Sequence, residues 1–198
     1  MRKSLCKRQK LPEILGEARE QNVLNRPVRL MFGDEARFGR ISDPRKCWAL
    51  APLRPIVRQA LVREYVDAYA AISPTDGVID WMLAAKMDTL TMSAFLASVS
   101  TRHPDELIIM VIDGAPLPRS GQLIVPKNMT LVRLPSYAPE LNPLEHVWDE
   151  LREKDFANRV FDSLGGAMAQ AARRLMRLEE HPDILQSIVG WDWILKSL

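Results

Sequence analysis

The segment that most constrains the fold is an uninterrupted apolar run near the middle of the chain. Residues 107–112 read Leu-Ile-Ile-Met-Val-Ile, and Asp113 follows them directly. Both alternating sets of side chains are apolar, which is typical of a strand buried on both faces at the centre of a parallel sheet. The run is far too short to span a bilayer. We therefore expect a central strand over 107–112 and a carboxylate where that strand ends.

Patterns on either side of this run predict the remaining elements. Apolar residues alternate from Val28 to Asp34, which predicts a strand that ends at Asp34. Two strand-like stretches flank the turn sequence Ser-Pro-Thr-Asp-Gly at 73–77, which favours a hairpin. The predicted elements are a helix at 11–24, strands at 28–34, 55–71 and 78–85, a helix at 89–101, strands at 107–112 and 129–134, and helices beginning at 142, 167 and 184.

The order of these elements predicts the fold class. Three antiparallel strands come first, then a helix, then strands connected in parallel fashion and further helices. This order indicates an α/β fold in which a mixed sheet carries helices on both faces.

Composition excludes several classes of protein. The chain has 198 residues, 47% of them hydrophobic, with a formal net charge of +2, which favours one folded domain over a disordered chain. Its two cysteines, Cys6 and Cys47, do not make a disulfide framework, and the three histidines lack zinc-site spacing. No apolar run follows the basic N-terminus, so it does not resemble a secretory signal. We expect a cytoplasmic protein without a membrane segment.

Charge is distributed unevenly along the chain. Residues 1–29 carry eight basic and three acidic side chains, and the rest carries 19 basic and 22 acidic ones. A basic segment of this kind either contacts a polyanion or is a solvated tail, and both interpretations stay open. Asn25-Arg26-Pro27 interrupts the helical pattern. We expect a basic leader or linker helix over 1–26 and the main domain, with C-terminal helices, over 27–198.

Three acids fall where strand or helix ends expose side chains: Asp34, Asp113, and Glu145 in the first turn of a helix opened by Asn142 and Pro143. Carboxylate oxygens suit Mg²⁺ or Mn²⁺, and two such ions about 3.5–4 Å apart support in-line phosphodiester chemistry. Each acid also has an ordinary interpretation, as a surface acid, a turn residue or a capping-box acid. The positions alone leave the choice open.

The motifs around these acids resemble those of the DDE transposases. They read GDEARFG around Asp34, VIDGAP around Asp113 and LPSYAPELNPLEHVW around Glu145. The resemblance covers about residues 27–160 and is to the bacterial insertion-sequence branch of the mariner superfamily. The 31 residues between Asp113 and Glu145 are close to the spacing in that superfamily.

The resemblance implies a ribonuclease H-like fold in which Asp34, Asp113 and Glu145 hold two Mg²⁺ or Mn²⁺ ions. It implies hydrolysis at transposon ends, followed by attack of the freed 3′-hydroxyl on target DNA. The implied partners are transposon terminal inverted repeats and target DNA, with a homodimer as the active form. Glu140 matches the loop acid of the family rather than its catalytic acid.

The chain also departs from the family pattern. Gly114 and Pro118 stand where family members usually carry Asn and His, which removes a hydrogen bond near the site and a contact to DNA or metal. About 26 residues precede the first catalytic strand, too few for the family's helix-turn-helix region. We expect a catalytic half whose helix-turn-helix half is encoded in another reading frame or missing. The alternative is a catalytically silent, transposase-derived domain that binds DNA or a partner.

Other chemistry-bearing residues give weaker signals. Arg119, Lys127 and Arg152 either contact phosphates or are solvated. His146 fits a helix surface, and Cys47 has no nearby His to make it a nucleophile. The remaining prediction concerns a buried helix face formed by Leu144, Val147, Trp148 and Leu151.

Overall fold

The computed structural model describes residues 10–20, 26–41, 45–46, 48–54, 56, 62–113, 123–134 and 139–196. The strands are β1 (Val28–Gly39), β2 (Tyr65–Ile72), β3 (Ile79–Ala84), β4 (Leu107–Ile112) and β5 (Met129–Arg133). The helices are α1 (Lys10–Glu20), α2 (Thr89–Arg102), α3 (Leu144–Leu151), α4 (Leu164–Glu180), α5 (Pro182–Val189) and α6 (Asp192–Leu195). A 3-10 turn (Pro139–Leu141) precedes α3, and a π-helical turn (Arg152–Phe156) follows it.

The five strands form one mixed sheet in the order β3-β2-β1-β4-β5. β1 pairs antiparallel with β2, and β2 pairs antiparallel with β3. On its other side β1 pairs in parallel with β4, which pairs in parallel with β5. The predicted change from antiparallel to parallel strands is therefore confirmed, and β1 is the strand at which it occurs.

Helices cover both faces of the sheet, as the order of elements predicts. β4 is buried on each face: Ile109 and Val111 join the larger core with α3, α4 and α5, whereas Ile108 and Met110 join a smaller core with α2. Leu15 of α1 is 1% exposed and belongs to the larger core. The apolar run at 107–112 is thus the central buried strand that its composition indicates.

The hairpin between β2 and β3 forms at the predicted turn. The Ser73 amide donates to the Val78 carbonyl at 2.9 Å, and Gly77 has a φ of 69°. A Cβ at residue 77 would lie 2.2 Å from the Pro182 carbonyl oxygen. Only glycine fits here, because it combines a left-handed backbone with close approach to α5.

Two strand boundaries differ from the sequence prediction. β1 continues to Gly39, so Asp34 lies within the strand and not at its end. β2 begins at Tyr65, and residues 62–64 before it are not in a strand, whereas Pro55 and residues 57–61 of the predicted strand lie outside the described residues. The length of β1 follows from its pairing: β2 pairs with β1 as far as Gly39, opposite Tyr65, and this pairing extends β1 past Asp34.

The C-terminal helices also begin and end differently from the prediction. Ser163 caps α4 through a 3.1 Å bond from the Gly166 amide, so Gly165 and Gly166 lie in the first turn of a helix and do not precede it. The last predicted helix is divided into α5 and α6 around Gly190. In the part of the chain that the structure describes, no helix has the length and apolar character of a membrane span.

Candidate active site

Asp34 lies where β1 loses one of its two neighbouring strands. Pairing with β4 ends at Gly33 and Ile112, whereas pairing with β2 continues from Asp34, opposite Ala70, to Gly39. Alternation along β1 places Asp34 on the face of Phe32, which packs against α3 in the larger core. Its carboxylate is therefore at the border between the core and the open end of the sheet.

Asp113 emerges from β4 beside Asp34. The Gly33–Ile112 pair is the last of the parallel ladder, and Asp113 is one residue beyond it. Neighbouring strands lie about 4.8 Å apart, so the backbones of Asp34 and Asp113 leave the ladder side by side. The structure thus brings together the two predicted aspartates at the same end of the sheet.

Glu145 reaches the same region from the first turn of α3, and Asn142 fixes where that helix starts. The Asn142 side-chain oxygen accepts from the Leu144 amide at 3.1 Å, and its Nδ2 donates to the Gly33 carbonyl at 3.3 Å. Asn142 is 1% exposed. Pro143, predicted as the first helical residue, occupies the cap position instead of Asn142, so the helix starts one residue later than predicted. The Asn142 side chain still binds the first helical amide, and it ties α3 to β1 next to Asp34.

Trp148 connects α3 to Asp34 directly. Its ring is fully buried and packs edge-on against Phe38 at 5.8 Å, which confirms the predicted buried face of the helix. Its indole Nε1 donates to Asp34 Oδ2 at 3.1 Å. The spacing of apolar residues predicts the packing but carries no signal for this hydrogen bond, since an indole N–H finds its partner only in the folded chain.

Asp34 and Glu145 form a closely coupled acid pair. Burial, and after it the negative charge of Glu145, raise the pKa of Asp34 to about 7, although the Glu35 amide and the Trp148 indole oppose the rise by donating to the carboxylate. Desolvation and a neighbouring negative charge both disfavour the ionised carboxylate, so a nearby cation would stabilise it.

Glu35 is a fourth acid that the sequence motifs do not single out. It follows Asp34, so alternation directs it to the opposite face of β1. Desolvation raises the pKa of Glu35, and the charge of Asp113 raises it further. The acidic end of the sheet therefore contains four acids that act on one another: the charges of Glu145 and Glu35 raise the pKa of Asp34, and the charge of Asp113 raises that of Glu35.

The donor set of the first pair fits a divalent metal ion. Within the described residues, no three His, Cys, Asp or Glu side chains converge into a complete metal cage. Asp34 and Glu145 nevertheless offer hard carboxylate oxygens whose mutual repulsion a cation such as Mg²⁺ or Mn²⁺ would relieve. Asp113 lies one residue beyond the same ladder, and it is the predicted third carboxylate for such an ion.

The competing acid Glu140 has a different environment. It lies in the exposed 3-10 turn before Asn142, whereas Glu145 is half-buried and coupled to Asp34. The placement favours Glu145 over Glu140 as the third acid of the site.

The other residues that the sequence singles out lie away from the acids or outside the described residues. Arg152 ends α3 with its guanidinium over the Phe38 ring, and exposed Lys127 precedes β5 at the other end of the sheet. His146 is exposed, as predicted, with its ring against the edge of Trp191 at 5.0 Å. Outside the described residues lie Cys6, Cys47, Gly114, Pro118 and Arg119.

Comparison with known proteins connects this geometry to a family. The family model described as DDE superfamily endonuclease matches residues 29–165. The uncharacterized protein y4pE/y4sA of Sinorhizobium fredii (strain NBRC 101917 / NGR234) is 28% identical over 130 residues, which cover 65% of this chain and 96% of that protein.

Solved structures of the Mos1 transposase share the fold. The chain in the mariner Mos1 paired-end complex with Mn has a TM-score of 0.56 at 16% identity, with 93% of this chain and 62% of that chain covered. The chain in the Mos1 strand transfer complex has a TM-score of 0.55 at 15% identity, with 93% of this chain and 61% of that chain covered. This chain therefore spans about three fifths of the Mos1 chains, and the predicted ribonuclease H-like fold is confirmed.

The family match begins at the second residue of β1 and ends inside α4, so it includes Asp34, Asp113 and Glu145 and more than half of the chain. This match shows that the chain belongs to the DDE superfamily endonucleases.

Proposed function

We propose that this chain catalyses transposition: it hydrolyses phosphodiester bonds at transposon ends and then joins the freed 3′-hydroxyl to target DNA. The observation that carries the proposal is the coupled pair of Asp34 and Glu145 at the end of the sheet where Asp113 emerges. In a member of the DDE superfamily, acids at this place are suited to phosphoryl transfer.

Asp34, Asp113 and Glu145 are the residues that would hold two Mg²⁺ or Mn²⁺ ions. Bound there, the ions would activate the attacking oxygen and stabilise the leaving oxygen of an in-line substitution at phosphorus. Mos1 complexes solved with Mn and with Mg support a divalent ion for this chain.

The chain's own contribution is to fix the acids. Trp148 holds one oxygen of Asp34, and Asn142 sets the distance between the start of α3 and β1. A site that is held in place before substrate arrives has less reorganisation to undergo during the reaction. Burial against α3 also keeps water away from one side of Asp34.

The proposed partners are transposon terminal inverted repeats and target DNA. A Mos1 paired-end complex solved with the left transposon end supports DNA as the partner. We further propose a homodimer as the active form, action on nucleoid DNA in the cytoplasm, and a helix-turn-helix half supplied by another reading frame. In this arrangement residues 1–26 are the basic linker and residues 27–198 are the catalytic domain.

Nicking of a plasmid that carries the element's ends tests the assignment. We expect Mn²⁺- or Mg²⁺-dependent nicking by the wild-type chain. Asp34→Asn, Asp113→Asn and Glu145→Gln should each lower the rate by more than the roughly 100-fold that loss of an outer-shell partner costs, because each substitution removes a proposed metal-ligating carboxylate.

Glu140→Gln is the matched control, since it neutralises an acid five residues from Glu145 that lies in an exposed turn. Its nicking rate should equal that of the wild type. Metal-dependent nicking that persists in Asp113→Asn contradicts the site assignment. DNA binding without nicking under any metal condition supports the silent, transposase-derived domain in its place.

A further inference from the structure

An open groove of about 320 Å³ lies at the end of β1, beyond the acidic site. Three guanidinium side chains line it among the described residues, together with aromatic rings. We call it the arginine groove, and the lining residues that matter here are Arg37, Arg45, Arg152, Tyr65, Phe38 and Phe156.

Two of the arginines are held in place by a ring and a carboxylate. Arg37 forms a two-point contact with buried Asp67 at 2.7 and 3.2 Å and lies over the Tyr65 ring at 5.6 Å, yet 54% of its side chain is exposed. A guanidinium presents five N–H donors, so the two that contact Asp67 leave others for a ligand.

Arg152 is held similarly from the helix side. Its guanidinium lies 5.9 Å from the centre of the Phe38 ring, and its contact with the exposed Asp149 carboxylate is long, at 3.5 Å. Stacking on a ring fixes the plane of a guanidinium and directs its N–H groups outward. Arg152 thus faces the groove with donors that a weak surface ion pair hardly occupies.

Arg45 reaches the groove from a loop that Asn158 fixes. The Arg45 amide donates to Asn158 Oδ1 at 2.8 Å, and Asn158 Nδ2 donates back to the Arg45 carbonyl at 3.1 Å. Asn158 has a φ of 55°, a strained conformation that persists where its surroundings require it. The exposed Arg45 side chain is therefore presented from a fixed backbone.

The groove lies at a defined distance from the acid pair. Arg37 is three residues beyond Asp34 on β1, about 10 Å along the strand, and alternation directs its side chain to the opposite face from that of Asp34. Arg152 opens the π-helical turn after α3, seven residues beyond Glu145, which is also about 10 Å along a helix. DNA rises about 3.4 Å per nucleotide, so this distance corresponds to about three nucleotides.

We propose that the arginine groove binds the phosphate backbone of the DNA about three nucleotides from the phosphate at the acid pair. Arginine donors match phosphate oxygens, and Tyr65 at the rim offers a surface to a sugar or base. This inference rests on the proposed function, because it assigns part of the surface that holds the same substrate.

Fluorescence anisotropy in EDTA with a labelled mixed-sequence duplex of about 30 base pairs tests the proposal, at about 50 to 200 mM salt. The double variant Arg45→Gln, Arg152→Gln should bind at least about 10-fold more weakly at 100 mM salt. Its slope of log affinity against log salt should fall by about two, one for each phosphate that the variant no longer neutralises. Arg37 is left intact, since its removal would leave Asp67 buried without a partner.

Two controls distinguish DNA binding by this groove from an effect of the overall positive charge. Arg45→Lys, Arg152→Lys keeps both charges and should retain the wild-type salt slope. Arg26→Gln, Lys127→Gln removes two charges from a shallow hollow at the opposite end of the sheet and should bind within about twofold of the wild type. Far-UV circular dichroism and urea midpoints establish that each variant is folded.

Each outcome decides the proposal separately from the nuclease assignment. Equal binding by the groove variant and the wild type overturns it, as does an equal loss in the Arg26, Lys127 control or no duplex binding by the wild type at the lowest salt. A chain that binds through the groove but never nicks keeps the groove and contradicts the proposed function. A chain that nicks DNA but binds it equally well without the groove arginines keeps the proposed function and contradicts the groove.

Discussion

Asp34 is the residue on which the site depends most, because each of the other parts acts on it or lies beside it. It receives a hydrogen bond from Trp148, lies next to the charge of Glu145 and leaves the sheet beside Asp113. Its pKa of about 7 means that the fold holds this carboxyl under conditions that oppose its ionisation. The same environment gives a measurable dependence of stability on pH.

Asp34→Asn should stabilise the metal-free protein more as pH rises. The pKa of Asp34 is higher in the folded chain, about 7, than in the unfolded chain, about 3.9, so ionisation favours unfolding. The variant should gain little at pH 4, progressively more up to pH 7, and no more above it. The gain at the plateau should be about 2–4 kcal/mol.

Urea unfolding of both proteins in EDTA across this pH range measures the difference. Asparagine still offers an oxygen to the Trp148 indole, so the comparison isolates the charge. Mg²⁺ added at pH 7.5 should narrow the gap, because only the wild type keeps both carboxylates of the pair. A difference that does not change with pH contradicts the assigned environment of Asp34.

Among the helices and strands, α3 completes the site, because it adds side chains to the end of the sheet where Asp34 lies. It carries Glu145 in its first turn and Trp148 one turn later, and Asn142 attaches its start to Gly33 of β1. The π-helical turn after it brings Phe156 against Phe38 at 4.8 Å. α3 and the π-helical turn together therefore contact β1 at three successive levels.

Trp148→Phe should separate packing from the hydrogen bond. Phenylalanine keeps the buried ring but removes the N–H that lowers the pKa of Asp34, so this pKa should rise further. We expect a loss of about 1–2 kcal/mol in stability, about 10-fold slower nicking, and an acid limb of the pH–rate profile displaced to higher pH.

Trp191→Phe is the matched control, because the Trp191 indole donates to the Ile188 carbonyl at the C-terminal end of the chain. Its pH–rate profile should coincide with that of the wild type. An unchanged acid limb in Trp148→Phe would mean that the indole acts in packing alone.

Particular residues show which parts of this arrangement the sequence predicts. The apolar run at 107–112 and the Gly77 turn depend on local chemistry, and both are confirmed. The predicted Asn142 cap is one residue early, because Pro143 takes that position. The end of β1 depends on its pairing with a strand about 30 residues away, so alternation alone misplaced Asp34 at a strand end. Glu35 and the Trp148 contact arise only from tertiary packing, for which no periodic signal exists.

Across the whole molecule, the two ends of the sheet have different chemistry. The acids and the arginine groove lie at one end. At the other, a network of ion pairs joins β1, β3, α2 and α4: Asp80 Oδ2 lies 2.8 Å from His103 Nε2, and Arg102 contacts both Asp80 and Glu179. The members of this network are Arg29, Asp76, Asp80, Arg102, His103, Glu106 and Glu179.

Asp80→Ala should lower stability without altering the chemistry. Asp80 is 2% exposed, so its removal leaves Arg102 and His103 without their buried partner, at a cost of about 3–5 kcal/mol. Nicking measured well below the melting temperature should keep the wild-type rate. If Asp80→Ala does not fold, Asp80→Asn keeps the shape and tests the same charge.

Asp76→Ala serves as the comparison at the same end of the sheet. Its carboxylate is 42% exposed and pairs with Arg29, so the loss should stay below about 1 kcal/mol. Equal losses in the two variants would contradict the role of the buried pair.

The order in which β1 finds its neighbours has a consequence for the chain as it is synthesised. Residues 28–84 contain β1 and both of its antiparallel companions, so a meander bearing Asp34 is complete early. Asp113 arrives only with β4, and Glu145 and Trp148 only with α3. A nascent or prematurely terminated polypeptide that lacks α3 therefore never assembles the acid pair.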